Sequence, residues 1–469
     1  MKNCLLVKSI LSVTAAIFGG VFVSNAYADT LFTNVNVFNG TESKLYNNQY
    51  VLVKANKIAQ VSDSIIEADG AKIIDGSGKT LMPGMIDAHT HIMVNGDTVN
   101  QIETSEDPYD LGIRSVGAAK SFLMDGFTSI RDMGGPSFAL KRQIDKGVII
   151  GPRVYPSGAV LSQTSGHGDR RSLYDLGFSI NVEDDVSNME RIGFGQVVDG
   201  VPEVLKATRL NLRHGATQIK IMAGGGGSSQ YDPIDTTQFL RDEICAAVQA
   251  AADWGTYVAA HLFYDRAINR ALDCGVKTFE HGFFASYKTY QRMAKEGAYL
   301  VPQMWGFSPE LMNHPDIPKR KLPAIAELQK KYKDVGRLIL KSGVKVAFQS
   351  DWAREIENAN RSRRFEIWWR SQMFDGGGFD GKFETLKQLT SVGGELLAES
   401  GPRNSAGGKL GVIEEGAIAD ILIINGNPLN DLSVIGGRQQ WYSQALPSEN
   451  PIETIQLIMK DGVIYKNTL

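Results

Sequence analysis

The stretch "ATQIKIMAGGGG", residues 216–227, places a lysine inside a segment that otherwise predicts a buried β-strand. Residues 218–222 form the predicted strand, and Ile219, Ile221 and Met222 are typical of a strand covered on both faces. Four glycines then end it. A buried ammonium without a partner costs several kcal/mol or gives up its proton. Lys220 therefore indicates a chemical role at the end of an internal strand.

Seven further apolar stretches resemble this one, and each is followed by a loop and by helical periodicity. The eight predicted strands are "GMIDAHTH" (84–91), "FTSIRDM" (127–133), "PRVYPSG" (152–158), "QIKIM" (218–222), "TYVAAH" (256–261), "KTFEH" (277–281), "AYLVPQ" (298–303) and "VKVAFQS" (344–350). Their alternation with helices predicts an α/β fold, a (β/α)8 TIM barrel, over residues 83–406. Short strands in residues 29–82 and 407–469 predict one small discontinuous β-sandwich domain.

The composition indicates a small-molecule partner. The chain has 469 residues, 43% of them apolar and 22% charged, and its net charge is only −3. It contains no basic block and no basic-aromatic interleaving, so a nucleic-acid surface is not expected. A homo-oligomer stays open.

Residues 1–28 are predicted to be a signal peptide. Lys2 and Lys8 precede the apolar run "ILSVTAAIFGGVFV" (10–23), which is followed by the small-residue cleavage site "SNAYA" (24–28). The run is short for a membrane span, so cleavage after Ala28 is favoured over an uncleaved anchor. We therefore expect an exported, periplasmic protein without a stable membrane anchor.

Two cysteines remain after cleavage, Cys245 and Cys274. They are too few for a disulfide framework and too widely spaced for a zinc knuckle. Each is expected to pack as a small apolar side chain. A bond between them in an oxidising compartment stays open.

The ends of the predicted strands carry side chains that bind metals. They are His89, His91, Lys220, His261, His281 and Asp351. A barrel of this type gathers such strand ends at one face, and residues two apart on a strand point the same way. Four histidines and an aspartate exceed the three protein ligands that are usual for one catalytic zinc. The set instead suits two divalent ions about 3.5–4 Å apart.

Two neighbouring cations need a bridging anion, and Lys220 can supply one. Burial lowers the pKa of a lysine, and its neutral amine can react with CO2 to give a carbamate. The carbamate carries one negative charge on two oxygens, one for each ion. The alternative is an ammonium that reaches the rim of the barrel and pairs with a carboxylate.

These motifs together resemble the amidohydrolase superfamily. The resemblance is carried by "PGMIDAHTHI" (83–92), "IKIMAGGG" (219–226), "AAHLFYDRAINRAL" (259–272), "GVKTFEHG" (275–282), "FQSDW" (348–352) and "KLGVIEEGAIADILIING" (409–426). It implies that His89, His91 and Asp351 bind the more buried ion. His261 and His281 would bind the second ion, and carboxylated Lys220 would bridge the two. Zinc is the ion that the resemblance implies, and the ligands would also accept manganese or cobalt.

Within the superfamily, the chain is most similar to the branch of imidazolonepropionase-like proteins and metal-dependent Xaa-Pro or Xaa-Arg dipeptidases. The segments "GPRVYPSGAVLSQTSGHGD" (151–169) and "FEHG" (279–282) carry this similarity. It implies that His167 polarises the scissile carbonyl and that Tyr231 helps to hold the substrate. The alternatives are a histidine that anchors its loop and a tyrosine that only packs.

The expected reaction is hydrolysis of an amide bond in a dipeptide or an N-acyl amino acid. Two divalent ions lower the pKa of a shared water, and Asp351 takes the water proton and delivers it to the leaving nitrogen. A lactonase or phosphotriesterase with the same two ions stays open. A mononuclear deaminase would need a carboxylate shortly after His261, where the chain has Leu-Phe-Tyr. A non-catalytic scaffold would be expected to have lost ligands.

The chain departs from the branch after the eighth predicted strand. The segment 351–381 is rich in aromatic and basic residues, including Trp352, Trp368 and Trp369. These residues either pack as the aromatic face of a helix, which is favoured, or reshape the pocket. The glycines 224–227 predict a mobile lip beside the metals.

Overall fold

The structure is a computed structural model that describes residues 29–95, 107–173, 187–314, 317–351, 356–441 and 452–469. The predicted signal peptide and Trp352 lie outside the described residues. Within these ranges, no helix has both the length and the apolar character needed to cross a membrane.

The described strands and helices alternate through the middle of the chain. The strands are β1 (Thr30–Val37), β2 (Tyr46–Lys54), β3 (Lys57–Ser62), β4 (Lys72–Asp75), β5 (Thr80–Pro83), β6 (Met85–Thr90), β7 (Phe127–Asp132), β8 (Arg153–Pro156), β9 (Val160–Ser162), β10 (Gly195–Val197), β11 (Ile219–Met222), β12 (Val258–Tyr264), β13 (Thr278–Phe284), β14 (Tyr299–Val301), β15 (Lys345–Val346), β16 (Ile421–Ile424), β17 (Ile455–Lys460) and β18 (Val463–Asn467). The α-helices are α1 (Pro108–Met124), α2 (Phe138–Asp145), α3 (Asn188–Arg191), α4 (Val201–His214), α5 (Arg241–Ala252), α6 (Asp265–Cys274), α7 (Tyr287–Lys295), α8 (Leu322–Lys331), α9 (Val335–Ser342), α10 (Ile356–Met373), α11 (Gly381–Leu389) and α12 (Ser391–Ala398). Short 3-10 helices span Met304–Phe307, Pro309–Asn313, Lys319–Lys321, Gly401–Arg403 and Leu432–Ile435.

Two parallel sheets contain a strand from each of the eight predicted segments. One has the order β6-β7-β8 and the other the order β10-β9-β11-β12-β13-β14-β15. Backbone hydrogen bonds join both edges of the three-stranded sheet to the seven-stranded sheet, from Ala88 N to Phe348 O and from Thr217 N to Pro156 O, each 2.9 Å long. An α/β fold built on parallel strands is therefore confirmed. Strands β9 and β10 were not predicted, because three residues are too few to show alternation.

Alternation along β11 separates its apolar side chains from Lys220. Ile219 and Ile221 belong to the same buried cluster as Ala247 and Ala251 of α5. Lys220 lies between the two isoleucines and therefore points to the opposite face of the sheet. Burial of each isoleucine contributes about 1.5–3 kcal/mol, which keeps the lysine directed inward.

The two ends of the described chain form one further sheet. Its eight strands run β18-β17-β16-β5-β1-β2-β3, with β4 paired to β1. Strand β5 pairs with β1 on one side and with β16 on the other, so the N-terminal and C-terminal segments share one hydrogen-bonded unit. Its arrangement as a sandwich domain stays a prediction.

Arg153 at the start of β8 ties this sheet to the parallel strands. Its guanidinium donates to Asp420 Oδ2 over 2.7 Å and to Asp461 Oδ1 over 2.5 Å. Arg153 and Asp420 are both buried. Removal of one partner from such a pair leaves a buried charge uncompensated, so this contact is costly to break.

Cys245 of α5 and Cys274 of α6 form a disulfide, and their Cα atoms are 4.7 Å apart. The expectation that each cysteine packs alone as an apolar side chain was therefore wrong. Consecutive helices of the α/β repeat lie side by side, and this brings together two residues that are 29 positions apart in sequence.

The aromatic segment after β15 packs as a helix, as the favoured interpretation predicted. Phe365 and Trp369 of α10 stack with ring centroids 5.9 Å apart, and Trp441 lies 5.0 Å from Phe365. Trp368 and Trp369 are partly buried against the same cluster. Neither of these two tryptophans lines the cavity that contains the histidines at the strand ends.

Candidate metal centre

The side chains predicted at the strand ends converge on one cavity of about 210 Å³. Those that line it are His89, His91, Lys220, His261, His281 and Asp351. They come from β6, β11, β12, β13 and the segments that follow β6 and β15. Parallel strands bring their carboxyl ends to the same edge, which is how residues so distant in sequence meet.

His89, His91 and Asp351 form the tightest group. One ligand atom from each lies within 4.8 Å of the other two. Asp351 Oδ1 lies 3.2 Å from His89 Nε2 and 3.4 Å from His91 Nε2. Asp351 has a φ of +48°, a conformation that costs about 1–3 kcal/mol outside glycine. Its amide donates to His89 O over 2.9 Å, which helps to keep the carboxylate directed at the histidines.

Glu280 fixes the orientation of His89. His89 Nδ1 lies 2.7 Å from Glu280 Oε2, and Arg131 Nη2 donates to both oxygens of this carboxylate, at 2.8 and 2.9 Å. Burial opposes ionisation of Glu280, but Arg131 and His89 outweigh it and hold the pKa of the carboxyl well below its usual range. The ionised carboxylate accepts a hydrogen bond from the Nδ1–H of His89. The lone pair of His89 Nε2 is thereby left for a metal ion.

Lys220 lies beside this group and not at the rim. Its side chain is fully buried, and Nζ is 3.5 Å from His89 Nε2. Burial lowers the pKa of Lys220 to about 8, although the carboxylates of Glu280 and Asp351 oppose the shift. The interpretation as an ammonium that reaches the rim does not fit this position.

His261 and His281 line the same cavity, with ring centroids 4.4 Å apart. His281 Nδ1 lies 2.5 Å from Gln303 Oε1, and Gln303 Nε2 donates to Asp351 Oδ2 over 3.2 Å. Burial lowers the pKa of His281 to about 4, and burial also takes the pKa of His261 well below its usual value. Both rings are therefore neutral at pH 7, which is the form that binds metals.

The donor set fits divalent ions of the zinc type. Imidazole nitrogen and carboxylate oxygen are ligands that zinc accepts. Burial raises the pKa of Asp351, but the neighbouring His89 and His281 outweigh it and hold that pKa well below its usual value, so the carboxylate is ionised. His89 would hold an ion through Nε2 and Asp351 through Oδ1, and Lys220 lies close enough to join them after carboxylation.

His167 stacks on His261, with ring centroids 4.0 Å apart and the two planes 10° from parallel. A Cβ at Gly226 would lie 1.8 Å from His167 Nδ1, so only glycine allows the loop to pass this close. Hydrogen bonds hold the same loop, from Gly226 N to Asp232 Oδ2 at 2.8 Å and from Gly225 N to Thr236 O at 3.1 Å. The glycines after β11 therefore make room for His167. The mobility expected of them stays a prediction.

Tyr231 is not brought to the cavity. Its side chain is 46% exposed, and it does not belong to the described lining. His167 does line the cavity. The geometry thus supports a role for His167 beside the metal ligands and gives no support to substrate binding by Tyr231.

Sequence reasoning missed the residues that hold the ligands in place. Glu280 and Arg131 orient His89, and Gln303 bonds both His281 and Asp351. Each is a charged or amide residue inside or just after an otherwise apolar predicted strand, which is the same signal that identified Lys220. Lys321, from a 3-10 helix, was also missed, because nothing near it in sequence marks it as buried.

An apolar wall begins at the histidines. The Phe263 ring lies 5.2 Å from that of His261 and 5.3 Å from that of His281, and Phe283 lies 5.1 Å from Phe263. Trp305 belongs to the same lining. Among the described lining residues, Asp351 is the only acid, and Arg170 is a cation that donates to Ser228 O over 3.2 Å.

Proteins of known structure or activity are similar to this chain over most of its length. The ochratoxinase of Aspergillus niger is 30% identical over 359 residues, which are 76% of this chain and 72% of that protein. A prolidase solved in complex with N-methylphosphonate-L-proline is 32% identical, with a TM-score of 0.78, over 94% of this chain and 100% of that one. A Xaa-Pro dipeptidase with bound methionine in its active site has a TM-score of 0.77 at 24% identity, over 94% and 100% of the two chains, and shows the shared fold alone.

The family assignment follows from these similarities and from a direct match. The profile of the Amidohydrolase family covers residues 80–466, which include every strand of the cavity. The relatives include a prolidase and an ochratoxinase. The chain therefore belongs to the amidohydrolase family, on its prolidase-like branch.

Proposed function

We propose that this protein hydrolyses an amide bond at a centre of two divalent metal ions, set at the mouth of a closed (β/α)8 barrel. The hydrogen bonds from Ala88 to Phe348 and from Thr217 to Pro156 support closure, since they link both edges of the three-stranded sheet to the seven-stranded sheet. A barrel of this kind carries its active site at the carboxyl ends of its strands.

One observation carries the proposal. Buried Lys220 lies 3.5 Å from His89 Nε2, on the floor that it shares with His261, His281 and Asp351. An ammonium there would repel cations, whereas a carbamate formed on its neutral amine would bind them. This supports a bridging carboxylated lysine, with His89, His91 and Asp351 for one ion and His261 and His281 for the other. Zinc is the ion proposed.

The chain's own groups supply the proton transfers. When bound, two divalent ions lower the pKa of a shared water and polarise the scissile carbonyl. Asp351 Oδ1 faces His89 and His91, so Oδ2 is the oxygen that accepts the water proton and passes it to the leaving nitrogen. Gln303 donates to this oxygen over 3.2 Å and keeps it in place. His167 adds a donor at the carbonyl.

The lining supports an apolar substrate with a free carboxylate. Phe263, Phe283 and Trp305 would pack on the group next to the scissile bond. Arg170 would pair with a carboxylate, and no second acid in the described lining would receive a cationic side chain. N-acyl amino acids and dipeptides with bulky apolar residues fit this wall. The A. niger relative is an ochratoxinase and one of the solved relatives is a prolidase, both consistent with this class.

A substrate panel tests the function. The zinc-loaded enzyme is given N-acetyl-L-phenylalanine, N-acetyl-L-arginine, a Phe-Pro dipeptide, a lactone and a phosphotriester. We expect the highest kcat/KM for the apolar amides, loss of activity with a chelator, and recovery with zinc. His281→Ala should lose metal and activity, while His214→Ala, an exposed histidine outside the cavity, should keep both. A preference for the lactone or the phosphotriester, or activity that survives chelation, would contradict the proposal.

We also propose export to the periplasm after cleavage between Ala28 and Asp29. The support is the leader-like sequence of residues 1–28. Periplasmic extraction followed by N-terminal sequencing should give Asp29 as the first residue. An exported protein that still begins at Met1 would rule this out.

A further inference from the structure

Lys321 is a buried cation outside the metal centre, and it is directed into the loop after β11. Its side chain is 8% exposed. Nζ donates to Gly226 O over 2.6 Å and to Asp232 O over 2.8 Å. The third hydrogen of the ammonium is directed at Ser229 Oγ, 3.3 Å away. All three hydrogens are thus used within one loop.

Ser229 connects this cation to His167. The hydroxyl is buried and lies 2.9 Å from His167 Nδ1. The backbone N of His167 donates to Gln238 Oε1 over 2.9 Å, which fixes the other side of the residue. The described residues make no hydrogen bond to Nε2, so this is the polar atom that His167 can present to the cavity.

The distances decide where the hydroxyl hydrogen of Ser229 lies. A serine hydroxyl has one hydrogen and two acceptor lone pairs, and Lys321 donates to one of these lone pairs. Gly226 O, which also accepts the 2.6 Å bond from Lys321, is a second acceptor for this hydrogen but lies 3.4 Å from Ser229 Oγ. His167 Nδ1, at 2.9 Å, is the better acceptor. His167 Nδ1 therefore carries no hydrogen of its own.

Asp232 is a second nearby group that would favour the opposite tautomer. Its Oδ2 lies 3.8 Å from His167 Nδ1, which is beyond hydrogen-bond range. The same oxygen accepts hydrogen bonds from Gly226 N at 2.8 Å and Gln238 Nε2 at 3.3 Å. Asp232 thus supports the loop and does not compete for the hydrogen of Nδ1.

We infer that Lys321 and Ser229 are positioning residues that hold His167 with its hydrogen on Nε2, where it donates to the substrate carbonyl oxygen as negative charge develops. The inference rests on the proposed amide hydrolysis. His167 stacks on His261 at 4.0 Å, so its ring borders the site of the reacting carbonyl. The opposite tautomer would present a lone pair to the developing oxyanion and repel it.

The tautomer can be measured directly in the zinc-loaded enzyme, without any substrate. The chain has seven histidines, and a long-range 15N–1H spectrum of 15N-histidine-labelled protein shows which ring nitrogen of each carries hydrogen. The His167→Gln spectrum assigns the signals of His167. We expect hydrogen on Nε2. Hydrogen on Nδ1 with a bare Nε2 would overturn the inference, and it would do so even if the enzyme hydrolyses amides.

Kinetics then test the chain of contacts. Loss of one oxyanion donor lowers kcat by about 100-fold to 1,000-fold, so His167→Ala should fall in this range. Ser229→Ala and Lys321→Met should each lower kcat by about tenfold or more with little change in KM, because the donor acts in the transition state. Ser229→Thr, which keeps the hydroxyl, should have a kcat close to that of the wild type. Ser115→Ala is the matched control, since this buried serine lies outside the cavity lining and its hydroxyl donates to Gly112 O over 2.6 Å within α1.

A double variant separates positioning from general damage. Ser229→Ala should cause no further loss when it is added to His167→Ala, because its effect passes through the ring. Losses that multiply in the double variant, or an unchanged kcat in Ser229→Ala, would overturn the inference. Metal content and Tm of each variant show whether the fold is intact. A wild-type enzyme that hydrolyses no amide would refute the proposed function, while the tautomer result would stand by itself.

Discussion

Replacement of Glu280 by glutamine should separate the support of His89 from the metal ligands themselves. The carboxylate lies fully buried between Arg131, at 2.8 and 2.9 Å, and His89 Nδ1, at 2.7 Å. Glutamine keeps the shape and one acceptor oxygen, but it removes the charge that offsets the Arg131 guanidinium. Its amide nitrogen also cannot accept the hydrogen of His89 Nδ1.

The structure sets the size of the effect. Removal of one partner of a buried ion pair costs about 3–5 kcal/mol, and we expect about 3 kcal/mol because one acceptor to Arg131 remains. Loss of a group that orients a ligand weakens metal binding by about 10-fold to 100-fold. The pKa of Glu280 in the folded protein lies below the unfolded value of about 4.3. Its stabilisation is therefore complete above that pH and is lost as the pH falls through the folded pKa.

Urea unfolding of the metal-free protein at pH 7 measures the first effect, and competition with a zinc chelator measures the second. Glu395→Gln is the control, because its pair with Lys345 spans 2.7 Å but is half exposed and should contribute at most about 1 kcal/mol. An unfolding free energy of Glu280→Gln within about 1 kcal/mol of the wild type, together with unchanged zinc affinity, would refute the role given to Glu280.

Three further predictions follow from the site and the fold. Lys220→Ala should lose most activity and most bound metal, and a short carboxylic acid added to this variant should restore part of both. Lys220→Arg should be as inactive and as poor in metal as Lys220→Ala. A fully active Lys220→Ala would contradict the bridging role. Reactivation of metal-free enzyme with zinc and bicarbonate should speed up as the pH rises through about 8, where burial places the pKa of Lys220, since only the neutral amine takes up CO2; a rate that does not change from pH 6 to 9 would count against it. The double variant Cys245→Ser, Cys274→Ser should lose about 3.5 kcal/mol of unfolding free energy in urea, because the disulfide that closes a loop with a sequence separation of 29 residues is absent. A reducing agent should not destabilise this double variant further.

The sequence predicted the eight segments that carry the parallel strands, because apolar runs followed by helices mark a parallel sheet. It also predicted which side chains meet, since the ends of parallel strands share one edge. Lys220 was identified because a charged side chain in a buried apolar strand is costly unless it has a partner or a chemical role.

What the sequence did not predict depends on contacts between distant segments. Glu280 and Arg131 lie in different strands, and only the folded sheet brings them to His89. The pairing of Cys245 with Cys274 depends on how neighbouring helices lie. Tyr231 was chosen for its position after the glycines, but the loop turns its ring to the surface. Loop direction is set by local bonds such as Gly226 to Asp232, which leave no periodic signal in the sequence.

Anomalous diffraction from a zinc-loaded crystal tests directly whether Lys220 is a carbamate that joins two ions. We expect two zinc peaks, one beside His89, His91 and Asp351 and the other beside His261 and His281, with continuous density from Lys220 Nζ to both. A single peak and a bare amine directed away from it would rule out the bridging carbamate.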